Sequence, residues 1–197
     1  MAEVLHQAGA MAAAHLFRNI LGAMSRPGRR VALAHVPAGE DSLLPASLAV
    51  ITTLCDYQTP VFLGPALASA GALRRIRFDT GAPVAEQPED AAFALVQASE
   101  VGALLGQFAF GSHEYPDRST TLLVQLPDEG HGSTVEFSGP GVGAPVAVSL
   151  AGLGADFWAA RAQINLGYPL GLDFIFVQED GILACPRSTS VRLMEAR

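Results

Sequence analysis

At 197 residues and a formal net charge of −7, the chain is long enough for one substantial core and too acidic for nucleic acid to be its main partner. All 12 basic residues are arginine, and the absence of lysine excludes a pyridoxal-phosphate Schiff base, a Walker-type phosphate lysine and a kinase-type strand lysine. Half of the residues are hydrophobic and mean hydropathy is +0.31, yet no apolar run is long enough to cross a bilayer and no basic secretory start is present. The expectation is one cytoplasmic domain over residues 1–197, with part of the apolar surplus at interfaces.

The alanine-rich stretch Ala8 to Met24 predicts a helix, with Phe17, Ile20, Leu21 and Met24 spaced along one buried face and Pro27 and Gly28 ending it. Arg29 to Ala34 reads as a strand. Leu44 to Cys55 reads as a helix capped by Ser42, with Pro45 tolerated in its first turn. Thr59 to Leu63 is expected to be a short strand, Pro65 to Leu73 a helix, Arg75 to Phe78 a brief strand, and Gly81 to Pro88 an irregular link. Ala92 to Gln97 returns to strand, Glu100 to Phe108 to helix, and Gly111 to Arg118 to a polar loop. Ser119 to Leu126 and Ser133 to Ser138 look like a hairpin joined by PDEGHG. The glycine-rich SGPGVG turn precedes a strand at Val146 to Leu150, and Asp156 to Leu166 reads as a helix carrying Trp158.

The clearest local structure is last. Leu172 to Gln178 is an apolar run broken only by Asp173, so both faces of this strand are expected to be covered and its place to be central in a layered α/β domain. Asp180 and Gly181 suit a type I′ turn, after which Ile182 to Cys185 pairs back until Pro186 removes a donor. Cys55 and Cys185 sit in hydrophobic segments and read as buried, reduced thiols.

Few features suggest chemistry. The SGPGVG turn, through Gly139 and Gly141, offers backbone amides to a phosphate, but it matches neither GxGxxG nor a Walker loop, which favours a structural turn. Arg187, Ser188 and Thr189 place a guanidinium beside two hydroxyls, either as an anion or partner site or as polar alternation on a strand. Pro186 argues that this segment lies at a sheet edge within reach of a partner. His113, Glu114 and Asp117 lack the spacing that sets two metal ligands on one helical face, so no metal site is expected. His6, His15, His35 and His131 are scattered and read as surface or capping residues. Ser25 lacks a glycine-flanked nucleophile elbow, Cys55 is unremarkable as a nucleophile, and no catalytic residue stands out.

Five blocks, FRNILGAMSRPG (Phe17 to Gly28), IRFDTGAP (Ile76 to Pro83), SGPGV (Ser138 to Val142), YPLGLDFIF (Tyr168 to Phe176) and CPRSTSV (Cys185 to Val191), together resemble the PhnH family of the bacterial carbon–phosphorus lyase pathway. The TPVFL and TTLLVQL strands fit the same order, so the resemblance runs from Phe17 to Val191; PRSTS differs from the family's Pro-Arg-Thr-Thr form only by a serine that keeps the hydroxyl. The resemblance implies a three-layer α/β fold with a mixed sheet, like that of pyridoxal-phosphate-dependent transferases but without the cofactor. It further implies assembly with PhnG, PhnI and PhnJ, and a part in forming a ribose phosphonate triphosphate from ATP and an alkylphosphonate. It assigns no catalytic residue, and a homodimer is expected for the isolated chain. The competing expectation is an autonomous nucleotide- or phosphonate-binding enzyme using the SGPG turn and Arg187.

Overall fold

The computed structural model describes residues 2–34, 36–39, 42–179 and 181–194. In chain order its elements are α1 (Ala2–Ser25), β1 (Arg30–Ala32), α2 (Pro45–Leu54), β2 (Val61–Leu63), α3 (Ala70–Thr80), β3 (Phe93–Gln97), α4 (Ala98–Leu104), β4 (Thr121–Gln125), β5 (Thr134–Ser138), β6 (Val146–Ser149), α5 (Ala155–Asn165), β7 (Asp173–Gln178), β8 (Gly181–Cys185) and β9 (Ser190–Leu193). Among the described residues the strands form two sheets. The larger runs β1-β8-β7-β4-β3-β2, parallel from β2 through β7 and antiparallel at β8 and β1. The smaller, β6-β5-β9, is antiparallel throughout.

Alternation along the central strands builds two cores. Leu95, Leu123, Ile175, Val177, Ile182 and Ala184 face α1 and α2, where Leu16, Ile20 and Ile51 complete one cluster. Val96, Leu122, Val124, Phe174, Phe176 and Cys185 face the other way, onto α4, α5 and the small sheet. There Trp158 meets Phe137, Phe157 and Phe176 edge-on at centroid separations of 5.8, 4.9 and 5.8 Å, the geometry aromatic quadrupoles favour. The architecture is therefore α/β with a mixed sheet covered on both faces, and β7 occupies the interior position expected of it.

Several local expectations are corrected. Arg75 to Phe78 is not a strand but part of α3, which Ser69 caps by accepting from the Ala72 amide at 3.0 Å and which Gly81 ends in the left-handed region (φ 71°). The second helix is not capped by Ser42, whose hydroxyl donates to the Leu67 carbonyl; Leu44 occupies the cap position, with Pro45 in the first turn as expected. β4 and β5 do not form a hairpin. β4 is buried on both faces and lies between parallel neighbours, while β5 buries alternate residues and pairs with β6 and β9. On α1, Ile20 is buried but Phe17 and Leu21 are 50% and 56% exposed, because the buried stripe runs through Leu16, Ile20 and Ala23.

Asp180 lies outside the described residues, as do His35 and the side chain of His6. Gly181 is in strand, opposite Gln178 and Ala32, rather than in the turn. A Cβ there would stand 2.8 Å from the Val31 carbonyl oxygen, so its glycine permits the close approach of β1.

Candidate functional site

The exit of β8 is held by its own strand neighbour. Antiparallel pairing of Phe174 with Cys185 sets Asp173 beside the segment that follows Cys185. The Asp173 carboxylate accepts from the Arg187 backbone amide at 2.7 Å and from Arg187 Nε at 3.1 and 3.2 Å. Arg187 Nη1 donates to the Pro116 carbonyl at 2.6 Å, and Nη2 donates to Asp173 and to the Ser119 hydroxyl. The pair is largely shielded, at 16% and 17% side-chain exposure. Four of the five guanidinium donors are thus used within the chain, tying the 111–118 loop to the sheet. Ser188 is half-buried and Thr189 fully buried, with the Thr189 amide donating to the Pro186 carbonyl at 2.9 Å.

Behind this turn lies a buried polar group that no sequence motif singles out. Arg161 on α5 is 2% exposed and donates from Nη2 to the same Pro186 carbonyl at 3.0 Å. It lies beside Cys185, whose thiol burial pushes up to about 11; Asp173 adds to that rise, while Arg161 and the Thr189 hydroxyl oppose it. Cys55 is pushed to about 12 by burial and by Asp56. Both thiols are buried and reduced, as expected, and neither is an activated nucleophile.

The SGPGVG turn closes the β5–β6 hairpin. Gly141 has φ 79°, and a Cβ there would fall 2.3 Å from the Ser25 carbonyl oxygen. Gly139, with φ 112°, rests on Ser188 and Thr189. Gly28, with φ 80°, faces Val146 so closely that a Cβ would stand 2.7 Å from its methyl carbon. These glycines serve backbone docking.

A family model described as bacterial phosphonate metabolism protein (PhnH) matches residues 6–192. The chain belongs to the PhnH family. It is 36% identical over 179 residues to the alpha-D-ribose 1-methylphosphonate 5-triphosphate synthase subunit PhnH of Rhizobium meliloti (strain 1021), covering 89% of this chain and 88% of the relative. It is 29% identical over 180 residues to the putative C-P lyase subunit protein HtxG of Stutzerimonas stutzeri, covering 91% and 86%.

Three PhnH blocks that are distant in sequence meet in space. The turn of Ser138 to Val142 has Gly141 on Ser25 of the Phe17 to Gly28 block and Gly139 on Ser188 and Thr189 of the Cys185 to Val191 block. The candidate residues Arg187, Ser188, Thr189, Gly139 and Gly141 therefore lie around one junction, between the end of α1, the β5–β6 turn and the crossing from the large sheet to the small one. Beyond it, β9 is an edge strand whose Leu193, like the Met194 that follows it, is 42% exposed.

A separate crevice of about 450 Å³ opens at the carboxyl ends of β3 and β4, the usual ligand position in open α/β sheets. Gln97, Ser99, Gln125 and Asp128 are among its lining. Gln125 is held within the chain, accepting from the Leu44 amide at 2.9 Å and Ser47 at 2.7 Å and donating to the Ser42 carbonyl at 2.9 Å. Among the described residues no nucleophile is paired with a base there. His113, Glu114 and Asp117 lie exposed in their loop, and among the described residues no cluster has the makings of a metal site.

Proposed function

We propose that the chain is an accessory subunit of the carbon–phosphorus lyase core complex. It assembles with PhnG, PhnI and PhnJ, and is needed where ATP and an alkylphosphonate are converted to a ribose phosphonate triphosphate. One observation carries this reading: PhnH similarity extends over nearly the whole chain, and a relative of almost equal coverage is named as a subunit of the methylphosphonate triphosphate synthase. The geometry supports a part in assembly, since the motif residues converge on a structural junction that leads into the open edge of β9, suited to strand addition or side-chain docking.

The same reading takes the large sheet as a counterpart of the pyridoxal-phosphate-dependent transferase sheet. The chain has no lysine to form the cofactor's Schiff base, so the residues do not fit that group and its role is one without pyridoxal phosphate. The isolated chain is a homodimer working in the cytoplasm; the apolar surplus and the exposed Met11, Phe17 and Leu21 of α1 support self-association.

An autonomous enzyme built on the SGPG turn and Arg187 is not favoured, because Gly141 docks on Ser25 and Arg187 is neutralised by Asp173. The test is complementation of a bacterium lacking its own PhnH, grown with methylphosphonate as the sole phosphorus source, together with co-purification on a tagged copy of this chain. Restored growth with PhnG, PhnI and PhnJ retained on the tag is expected. No growth, with none of the three retained, refutes the subunit reading.

A further inference from the structure

The chain is acidic overall, yet four of its 12 arginines line one groove of about 350 Å³ at the carboxyl end of α1 and the start of β1. Arg18, Arg26, Arg29 and Arg30 surround it, with Asn19 and Gly22 completing the wall, and among the described residues no carboxylate lines it. Arg18 donates Nε to the Ala14 carbonyl at 3.1 Å and Arg30 donates to Gln178, which anchors these two side chains. Arg26 and Arg29 have no side-chain hydrogen bond or ion pair with the described residues.

Helix-end electrostatics does not account for the cluster. A cation near a helix carboxyl end gains about 0.3–1 kcal/mol, which explains one or two guanidinium groups but not the convergence of four like charges that repel one another. Gly22 points the same way. A Cβ there would meet nothing within 4 Å, so packing does not require glycine, and a mid-helix glycine costs roughly 1 kcal/mol relative to alanine. Its missing side chain leaves the groove open. Arg26 and Arg29 also border a second cleft, about 560 Å³, walled by Gly28, Gly141, Val142, Gly143, Ala144 and Val146. The two arginines form a ridge between a cationic groove and a largely apolar, glycine-lined one.

We propose that this groove is a binding site for a polyphosphate chain, the triphosphate end of a small molecule whose less polar body lies in the adjoining cleft. Planar guanidinium groups bind adjacent phosphate oxygens bidentately, and several in one groove favour a ligand with several charges over a single phosphate. The choice of a triphosphate rests on the subunit reading above; the existence of the anion site rests on the arginines alone.

Calorimetry on the full chain tests it, using inorganic tripolyphosphate, inorganic phosphate and ATP, with R26Q/R29Q and, as a control on α3, R74Q/R77Q. Tripolyphosphate is expected to bind more tightly than phosphate, to weaken as salt rises, and to lose at least tenfold in affinity in R26Q/R29Q but not in the control. ATP binding more tightly than tripolyphosphate extends the site into the second cleft; equal affinity confines it to the groove. No heat with tripolyphosphate at about 1 mM, or equal weakening by both variants, overturns the proposal. So does a R26Q/R29Q variant that loses co-purification while the parent chain binds no tripolyphosphate, which would make the patch a protein contact. Tripolyphosphate binding by a chain that fails to co-purify with the Phn subunits would instead sink the subunit reading and leave this site standing.

Discussion

Asp173 at the start of β7 holds Arg187 beyond the end of β8, with Oδ2 and Nη2 2.5 Å apart and a second contact from the same carboxylate to the Arg187 backbone amide. A residue that looks from the sequence like an exposed anion ligand is thereby an internal brace, joining the two central strands to Ser119 and the Pro116 carbonyl.

Replacing Arg187 by alanine should therefore lower stability by about 2–3 kcal/mol, because it leaves a shielded carboxylate without its counter-charge and releases the 111–118 loop. Urea unfolding should show a reduced midpoint at unchanged slope. Arg187→Lys should recover only part of the loss, since one ammonium cannot reach Asp173, Ser119 and Pro116 together. An alanine variant as stable as the parent that binds anions more weakly would return Arg187 to a ligand role.

The β7–β8 hairpin was legible because Phe174 to Val177 has no polar alternation, a pattern that only a strand buried on both faces tolerates. Asp173 stood out merely as a break in that run; its meaning depends on the register that sets it beside Arg187. In α3, Ile76 and Phe78 alternate with arginine as in a strand, but Ser69 and Gly81 are a cap and a stop, and Phe78 is exposed. β4 and β5 are neighbours in sequence, which suggested pairing, whereas Leu122, Leu123 and Val124 require cover on both faces that a lone hairpin cannot give. The arginine groove was hidden for a different reason. Arg18 lies two helical turns before Arg26, and only the helix and the reversal at Pro27 and Gly28 gather the four side chains.

Gly141→Ala should be costly and Gly143→Ala nearly neutral. The first has φ 79° and would drive a Cβ to 2.3 Å from the Ser25 oxygen; the second meets nothing within 4 Å. A loss of about 2–4 kcal/mol at Gly141 against less than about 0.5 kcal/mol at Gly143 is expected from thermal or urea melts. Equal effects at both positions would show that the turn does not depend on its seat against α1.

The two thiols make stability fall in alkali. Their folded values of about 12 for Cys55 and about 11 for Cys185 lie above the ordinary 9.0, so the unfolded chain loses these protons first. The contribution is fully present below pH 9 and declines as pH rises toward 11, by up to about 1.4 kcal/mol per pH unit for each thiol. Cys185→Ala should remove about half of that slope, whatever its effect on stability at pH 7, when urea midpoints are compared from pH 8 to pH 10.5. A slope unchanged by the substitution would mean that the buried thiol ionises without penalty.

The exposed face of α1 supplies the last test. Leu16, Ile20 and Ala23 already anchor the helix to the sheet, so Phe17 and Leu21 are not needed for folding, and their apolar area gains only by meeting another surface. A two-fold axis across α1 would set the same stripe of one copy against that of the next. Phe17→Asp with Leu21→Asp should leave the melting temperature within a few degrees of the parent and convert a dimer to a monomer by light scattering, whereas Leu16→Asp should unfold the chain. A parent chain that is monomeric at micromolar concentration refutes the homodimer, and a double variant that stays dimeric moves the interface off α1.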